Sequence, residues 1–290
     1  MCAAGTIVLL IGLVASREEF AEARGADKIV ALANVCYGMP LAVFGALHFF
    51  APQSVLALVP KYMPGRLFWV YLVGSALVAA SLSIAARVAV RWSGLLVGIM
   101  MFLFVAMIHV ARGVLVDPHN RILWTIVFRE SSFGGAGWVL AGNAMDGRRG
   151  QSKGTLIRVG RTVVALAAIF FGIQHFFHPL GLPGVPLKRE MPAWVPARVV
   201  IDGVTGAALV IAGGCMLLNR KARMAATALG AWILLTILLI YGPVLIGALS
   251  STATAAQVEG INYFADTLLF AGAVLAVASA SPRSDNRRVS

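Results

Sequence analysis

The chain has 290 residues, of which 59% are hydrophobic and 12% are charged. Soluble domains carry roughly a quarter charged residues, so this chain has too few polar side chains to cover a soluble surface. Its formal net charge of +12 comes from basic residues that lie between apolar stretches, which excludes nucleic acid as a partner and predicts a multi-pass membrane protein.

The first 16 residues, MCAAGTIVLLIGLVAS, form an apolar segment that is short for a membrane span of roughly 20 residues. The segment lacks the basic beginning of a signal peptide. We expect an uncleaved segment that lies at the membrane interface or is partly inserted, unless the start site is misplaced. The polar stretch at 17–28 predicts a short helix on the cytoplasmic side.

Eight later segments are apolar and long enough to cross the bilayer. Of the 24 Lys and Arg residues, 16 fall on one side of the resulting topology and 8 on the other. Basic residues are enriched in cytoplasmic loops, so both termini are predicted to be cytoplasmic, with the lipid bilayer of the inner membrane as the surroundings. The predicted spans are 29–50, 67–86, 92–114, 122–144, 162–179, 198–218, 224–248 and 260–280.

A nine-residue motif occurs twice, as FGALHFFAP from Phe44 and as FGIQHFFHP from Phe171. Each copy ends an apolar span and is followed by a Pro-rich loop and a span rich in small residues. Repeats with an even number of spans insert in the same orientation. The fold class predicted is therefore an all-α integral membrane protein with two parallel four-helix repeats. The predicted boundaries are an N-terminal segment at 1–28, a first repeat at 29–145, a basic cytoplasmic linker at 146–161, a second repeat at 162–280 and a tail at 281–290.

Ionisable residues within the spans are predicted to gather near the outer face. Such residues are costly in lipid, so they normally face the bundle interior and mark function. In the first repeat we assign catalytic roles to His48, His109, Arg112 and Glu130, with Arg129 in the same cluster. In the second repeat we assign cofactor binding to His175, Tyr241 and Asp266, with Trp194 in a loop that could cap the site.

Each of these residues also has a purely structural interpretation. His48 and His175 lie where interfacial anchors are found. Glu130 and Asp266 fit structural ion pairs as well as proton exchange, and Gly203 and Gly206 fit close helix packing in lipid. A metal bound by His175 and His178, three residues apart, is a further alternative, although the sequence offers no other His or Cys at ligand spacing and our assignment contains no metal.

The three cysteines, Cys2, Cys36 and Cys215, include no CxxC pair. A thiol-relay oxidoreductase needs paired, accessible cysteines, so this mechanism is disfavoured.

With its GxxHFFxP motif and its MPAWVPARVVIDGVTGAALVIAGG stretch, the second unit resembles the DoxX-like family of bacterial integral membrane proteins, and the first unit is similar to a diverged copy. The resemblance implies a four-helix membrane bundle. It also implies a link to quinone-coupled oxidation of sulfur compounds or to membrane redox complexes that handle thiols and oxidative stress.

We therefore expect a membrane component of a redox system that binds a quinone near the outer face and works with a membrane or periplasmic redox partner. In this hypothesis Arg112 holds Glu130 charged. The alternatives are a non-catalytic scaffold or assembly factor for a partner protein and, less favoured, a small-solute transporter.

Overall fold

The computed structural model describes residues 1–145 and 150–282, apart from the side chain of Arg112. These residues form helices and loops, with an isolated antiparallel bridge between Gly181 and Glu190. Two π-helical segments, Val105–Val114 and Ile237–Tyr241, continue α6 and α10. The helices are α1 (Cys2–Glu22), α2 (Asp27–Ala31), α3 (Ala33–Phe50), α4 (Pro52–Leu56), α5 (Arg66–Ala85), α6 (Val90–Phe104), α7 (Arg121–Asn143), α8 (Gly150–Phe177), α9 (Arg198–Leu217), α10 (Ala222–Thr236), α11 (Gly242–Leu249) and α12 (Thr254–Ser279).

Seven helical runs of the described residues are long and apolar enough to cross a membrane, so the chain is an all-helical, multi-pass membrane protein. The remaining predicted span, 122–144, lies in α7 and is not among the seven. Arg129, Glu130 and a run of serines and glycines lower the hydropathy of α7. The seven runs are Ala33–Phe50, Arg66–Ala85, Val90–Ala111, Gln151–Phe177, Arg198–Leu217, Ala222–Leu249 and Thr254–Ser279.

The outer surface of the bundle is apolar. Leu96, Ile211, Leu238 and Ile246 each have at least 60% of their surface exposed. Contiguous exposed apolar surface is rare on soluble monomers. On a membrane protein lipid covers such side chains, and the interior can then be built from small residues that allow close packing.

The helices form a closed ring in which each contacts the next. The order is α3, α5, α6, α7, α8, α9, α10 and α12, and α12 packs back on α3. Across the centre, α12 also contacts α7. Between Ala265 and Ala278 nearly every residue of α12 is buried, because α12 contacts its two neighbours in the ring and also α7 across the centre.

The N-terminal helix α1 packs against α3 and α5. A Cβ atom on Gly5 would lie 2.9 Å from Val43, and one on Gly12 would lie 3.0 Å from Val35, so α1 runs antiparallel to α3. The apolar N-terminal segment is thus a helix held along the side of the bundle. It continues to Glu22, into the polar stretch that was predicted to form a separate helix.

Two helix pairs of the ring make matched glycine contacts. A Cβ atom on Gly45 of α3 would lie 2.9 Å from the carbonyl oxygen of Gly74 on α5. A Cβ atom on Gly172 of α8 would lie 2.6 Å from the carbonyl oxygen of Gly206 on α9. Backbones that approach this closely leave no room for a side chain, which is how small residues join helices in lipid.

The end of the bundle opposite the nine-residue motifs is basic, and arginines fasten the helix ends there. Arg87 pairs with Glu19 at 2.5 Å, and Arg223 pairs with Asp27 at 2.6 Å. Residues 150–161, predicted as part of a linker, instead form the first turns of α8. The other linker residues, 146–149, and tail residues 283–290 lie outside the described part of the chain.

The glycine contacts predict that alanine affects stability differently at Gly172 on α8 and at Gly203 on α9. Gly172→Ala inserts a methyl group into backbone contact, and we expect a loss of about 1–3 kcal/mol in unfolding free energy. Gly203→Ala meets no atom within 4 Å and should be neutral or stabilising by up to about 1 kcal/mol. The expectation that Gly203 packs against a neighbouring helix was therefore wrong. Thermal unfolding of both variants in detergent measures the difference, and equal losses would contradict the packing described.

Candidate functional site

A cavity of about 1170 Å³ lies at the end of the bundle where α3 ends and α5 begins. The C-terminal parts of α3 and of α6 with its π-helical segment enclose it, together with the N-terminal parts of α5, α7 and α12. Most lining side chains are apolar, among them Leu77, Met101 and Phe133. The polar lining includes His48, His109, Arg129, Glu130, Asn262 and Asp266.

The cavity opens between α5 and α6. These helices meet next to their connecting turn, where the hydroxyls of Ser83 and Ser93 lie 2.5 Å apart. Farther along, Leu72, Leu96 and Leu103 line the cavity and are also exposed on the outer surface. An apolar molecule can therefore enter from the side that faces lipid.

Three ion pairs form a continuous chain on the wall of the cavity. His109 Nε2 lies 3.0 Å from Glu130 Oε2, and Arg129 Nη2 lies 3.2 Å from Glu130 Oε1. Arg129 Nη1 lies 2.8 Å from Asp266 Oδ2. The four side chains are 8–16% exposed, so water screens these charges little. These ion pairs connect the π-helical segment after α6 to α7 and α7 to α12.

The formal charge of the ion-pair chain depends on which of its groups carry a proton. With both carboxylates ionised against one guanidinium, the cluster carries a net negative charge when the His109 ring is neutral and no net charge when it is protonated. Histidine is the side chain that most readily changes charge near neutral pH. The arrangement can therefore take up or release a proton at the surface of an apolar cavity.

His48 lines the same cavity from α3. Its Nδ1 lies 2.8 Å from the carbonyl oxygen of Phe44, one turn earlier in the helix. Because a carbonyl oxygen only accepts, Nδ1 donates this hydrogen bond. Arg112, expected to hold Glu130 charged, has a side chain outside the described part of the chain, and Arg129 makes the ion pair with Glu130.

His175 belongs to α8, its side chain faces α9, and it is 1% exposed. Its Nδ1 is 2.7 Å from Oδ1 of Asp202, which is also fully buried. Its Nε2 is 3.3 Å from both the backbone nitrogen and the carbonyl oxygen of Gly184. His175 therefore fixes the loop between α8 and α9 to the bundle.

Of the residues assigned to cofactor binding, Asp266 lines the cavity, and His175, Tyr241 and Trp194 lie outside its lining. Tyr241 is buried, and its hydroxyl donates to the carbonyl oxygen of Pro183 at 2.8 Å. Trp194 is 57% exposed in the loop before α9.

The described residues contain no group of three or more His, Cys, Asp or Glu side chains placed to hold a metal ion. His175 and His178, considered as a metal pair, have different surroundings. His175 is bonded to Asp202, and His178 is exposed just after α8. Partial desolvation and, next, the positive charge of Arg121 lower the pKa of His178.

The sequence placed Arg129 in the outer cluster but gave Arg112 the task of holding Glu130 charged, whereas Arg129 lies at the centre of the ion-pair chain. Asn262 was missed, although it lies four residues before Asp266 and so on the same face of α12. Lys188 reaches the cavity from the loop before α9, and a loop position carries no such periodic signal.

Comparison of the chain with models of known protein families, with curated proteins and with solved structures finds no match.

Arg129 allows a direct test of the buried ion pairs. Arg129→Gln leaves two buried carboxylates without their guanidinium and should cost about 3–5 kcal/mol in unfolding free energy. Adding Asp266→Asn should recover part of that loss, because one of the unpaired charges is removed. Thermal unfolding in detergent measures both changes.

Arg189→Gln is the matched control, since its partner Glu259 is 3.9 Å away and 52% exposed, and its loss should stay below about 1 kcal/mol. A loss in Arg129→Gln no larger than in this control would contradict the buried ion-pair chain.

Proposed function

We propose that this chain is a DoxX-like protein of the inner membrane that binds a quinone in the cavity. The observation that carries the proposal is an apolar cavity that opens toward lipid and carries a titratable ion-pair chain on its wall. Quinones dissolve in the bilayer, and their ring oxygens need hydrogen-bonding groups while ring and tail need apolar walls. Small-molecule sites have this composition, mainly apolar with a few convergent polar groups.

In this proposal His109 and Glu130 exchange protons with the ring oxygens of the quinone. A proton on His109 removes the net negative charge of the ion-pair chain, so each proton transfer is coupled to the charge at the cavity wall. Arg129 holds Glu130 in place and links it to Asp266. The electrons come from, or pass to, a partner oxidoreductase in the membrane or periplasm.

The proposal includes two four-helix units in parallel orientation with the C-terminus in the cytoplasm, whereas α1 runs antiparallel to α3 and places Met1 toward the opposite end of the bundle. Matched contacts at Gly45 with Gly74 and at Gly172 with Gly206 support this arrangement. Further support comes from the left-handed residues Ala89 and Lys221 before α6 and α10, and from a π-helical segment after each of these helices. Basic residues gathered at the other end of the bundle fit the cytoplasmic side.

This topology predicts the location of fusions to the C-terminus. A reporter active only in the cytoplasm, fused after Ser290, should be active, and an alkaline phosphatase fusion at the same point should be inactive. The same pair fused after Gln53, in the short helix α4 at the opposite end of the bundle, should give the reverse pattern. An active phosphatase at the C-terminus would reject the topology.

The ion pairs also support a second candidate, a scaffold without catalytic activity that anchors a partner protein. Arg129 connects α7 to α12 through Glu130 and Asp266, as a purely structural contact would. In this reading the polar groups hold the bundle together, and their replacement changes stability and leaves ligand binding unaffected.

Quinone binding by the purified protein separates the two candidates. The full chain in lipid nanodiscs should bind a short-chain ubiquinone or menaquinone. Glu130→Gln keeps the size of the side chain and removes its charge, so it should weaken proton-coupled quinone reduction at least tenfold when a partner reductase is supplied.

Glu259→Gln is the control, because Glu259 lies at the rim of the cavity and is 52% exposed. Quinone binding and reduction should remain within about twofold of the unmodified protein. Absence of quinone binding would reject the proposed function and leave the scaffold.

A further inference from the structure

A histidine occupies the same position in each of the two matched helix pairs. A Cβ atom on Gly74 would lie 2.7 Å from Cβ of His48, and one on Gly206 would lie 3.1 Å from Cβ of His175. Each histidine also stands three residues after the close-packed glycine of its own helix. The surroundings of one histidine can therefore be compared directly with those of the other.

A second pair of positions corresponds in the same way. His109 and Tyr241 each lie twenty residues after the left-handed residue that precedes their helix, Ala89 or Lys221. Both lie in the π-helical segment that follows α6 or α10. His48 with His109 is thus the counterpart of His175 with Tyr241.

In the half built from α8, α9 and α10, these two residues hold a piece of the chain itself. His175 Nε2 contacts both backbone polar atoms of Gly184, and the Tyr241 hydroxyl donates to the carbonyl oxygen of Pro183. The neighbouring side chains Leu182 and Val185 are fully buried. A short segment with polar backbone atoms and apolar flanks therefore fills this half.

The gap between the helices is closed in one half and open in the other. Trp232 Nε1 donates to Thr205 Oγ1 at 3.0 Å, which joins α10 to α9. The corresponding residues of α6 and α5 are Met100 and Val73, eleven residues after Ala89 and one before Gly74, and both line the cavity. They cannot form this hydrogen bond, and the cavity lies where the other half holds its own loop.

The ring nitrogens of His48 and His109 determine whether the open site offers hydrogen-bond donors or acceptors. His48 Nδ1 donates to Phe44, so the free Nε2 of the neutral ring is an acceptor. His109 Nε2 faces the Glu130 carboxylate at 3.0 Å, and because a carboxylate oxygen cannot donate, the proton of the neutral ring is placed on Nε2 and Nδ1 is an acceptor as well. Within the described part of the chain neither acceptor has a hydrogen-bond partner.

We propose that His48 and His109 bind the head group of the ligand and select the reduced, dihydroxy form of a quinone, the quinol. This inference rests on the proposed quinone function. Two quinol hydroxyls donate to the two ring nitrogens, in the place where Pro183 and Gly184 lie in the other half. The carbonyl oxygens of the oxidised form face two acceptors and cannot donate to them.

The test compares three ligands that share one tetramethyl-substituted ring, on the full chain in nanodiscs of neutral phospholipid, under anaerobic conditions. Duroquinol has two donors, whereas duroquinone and the dimethyl ether of duroquinol have none. At about pH 8, above the ordinary pKa of histidine, we expect calorimetry to show duroquinol bound at least about tenfold more tightly than either of the others.

His48→Leu removes one acceptor and should weaken duroquinol binding about tenfold while leaving duroquinone binding unchanged. His48→Gln restores an acceptor oxygen and should recover most of the loss. His178→Gln, at an exposed histidine just beyond α8, is the control and should bind all three ligands as the unmodified protein does.

The outcomes separate this inference from the function on which it rests. Equal affinity for duroquinol and duroquinone, or an equal loss for both in His48→Leu, overturns selection of the quinol and leaves a quinone site. Failure of all three ligands to bind rejects both. The comparison of ligands needs only the unmodified protein, so it decides the question even if a His48 variant does not fold.

Discussion

The ion pair between Arg129 and its two carboxylates is the interaction on which the cavity end depends. Removing three charged groups from water is expensive, and mutual attraction offsets the cost only when every partner is in place. Glu130 comes from α7 and Asp266 from α12, so the contact also sets the distance between the two central helices. Once Glu130 is fixed, it orients the ring of His109, and the polar wall of an otherwise apolar cavity follows.

In the two-repeat arrangement that we propose, the two halves of the ring differ in how the space between their helices is filled. Around His175 the loop before α9 turns inward and fills the space between helices. The same loop then crosses to the other half, where Arg121 donates to the carbonyl oxygen of Pro186 and Leu187 lines the cavity. The filled half therefore supplies part of the wall of the open half, so a change in this loop affects both.

Composition and periodicity predict most of the helices because the cost of burying backbone in lipid leaves few alternatives. The span predicted at 122–144 is α7, whose hydropathy is lowered by Arg129 and Glu130, and the contacts of these residues form only in the folded ring. The pairing of Arg129 with Asp266 could not be read from the sequence, because it depends on how α7 and α12 meet across the centre. The buried position of the loop at Gly184 could not be predicted from the sequence either, because its contacts follow no helical or strand period.

The π-helical segment at Val105–Val114 explains how His109 comes to face Glu130. A π-turn adds a residue to the helical repeat, and it shifts every later side chain around the helix axis relative to a regular α-helix. Such turns are less favourable than α-helical ones and persist where tertiary contacts compensate for them. The ion pair of His109 with Glu130 supplies that compensation in α6, and the bond from Tyr241 to Pro183 supplies it in α10. At both π-helical segments, then, the backbone irregularity and the polar contact stabilise each other.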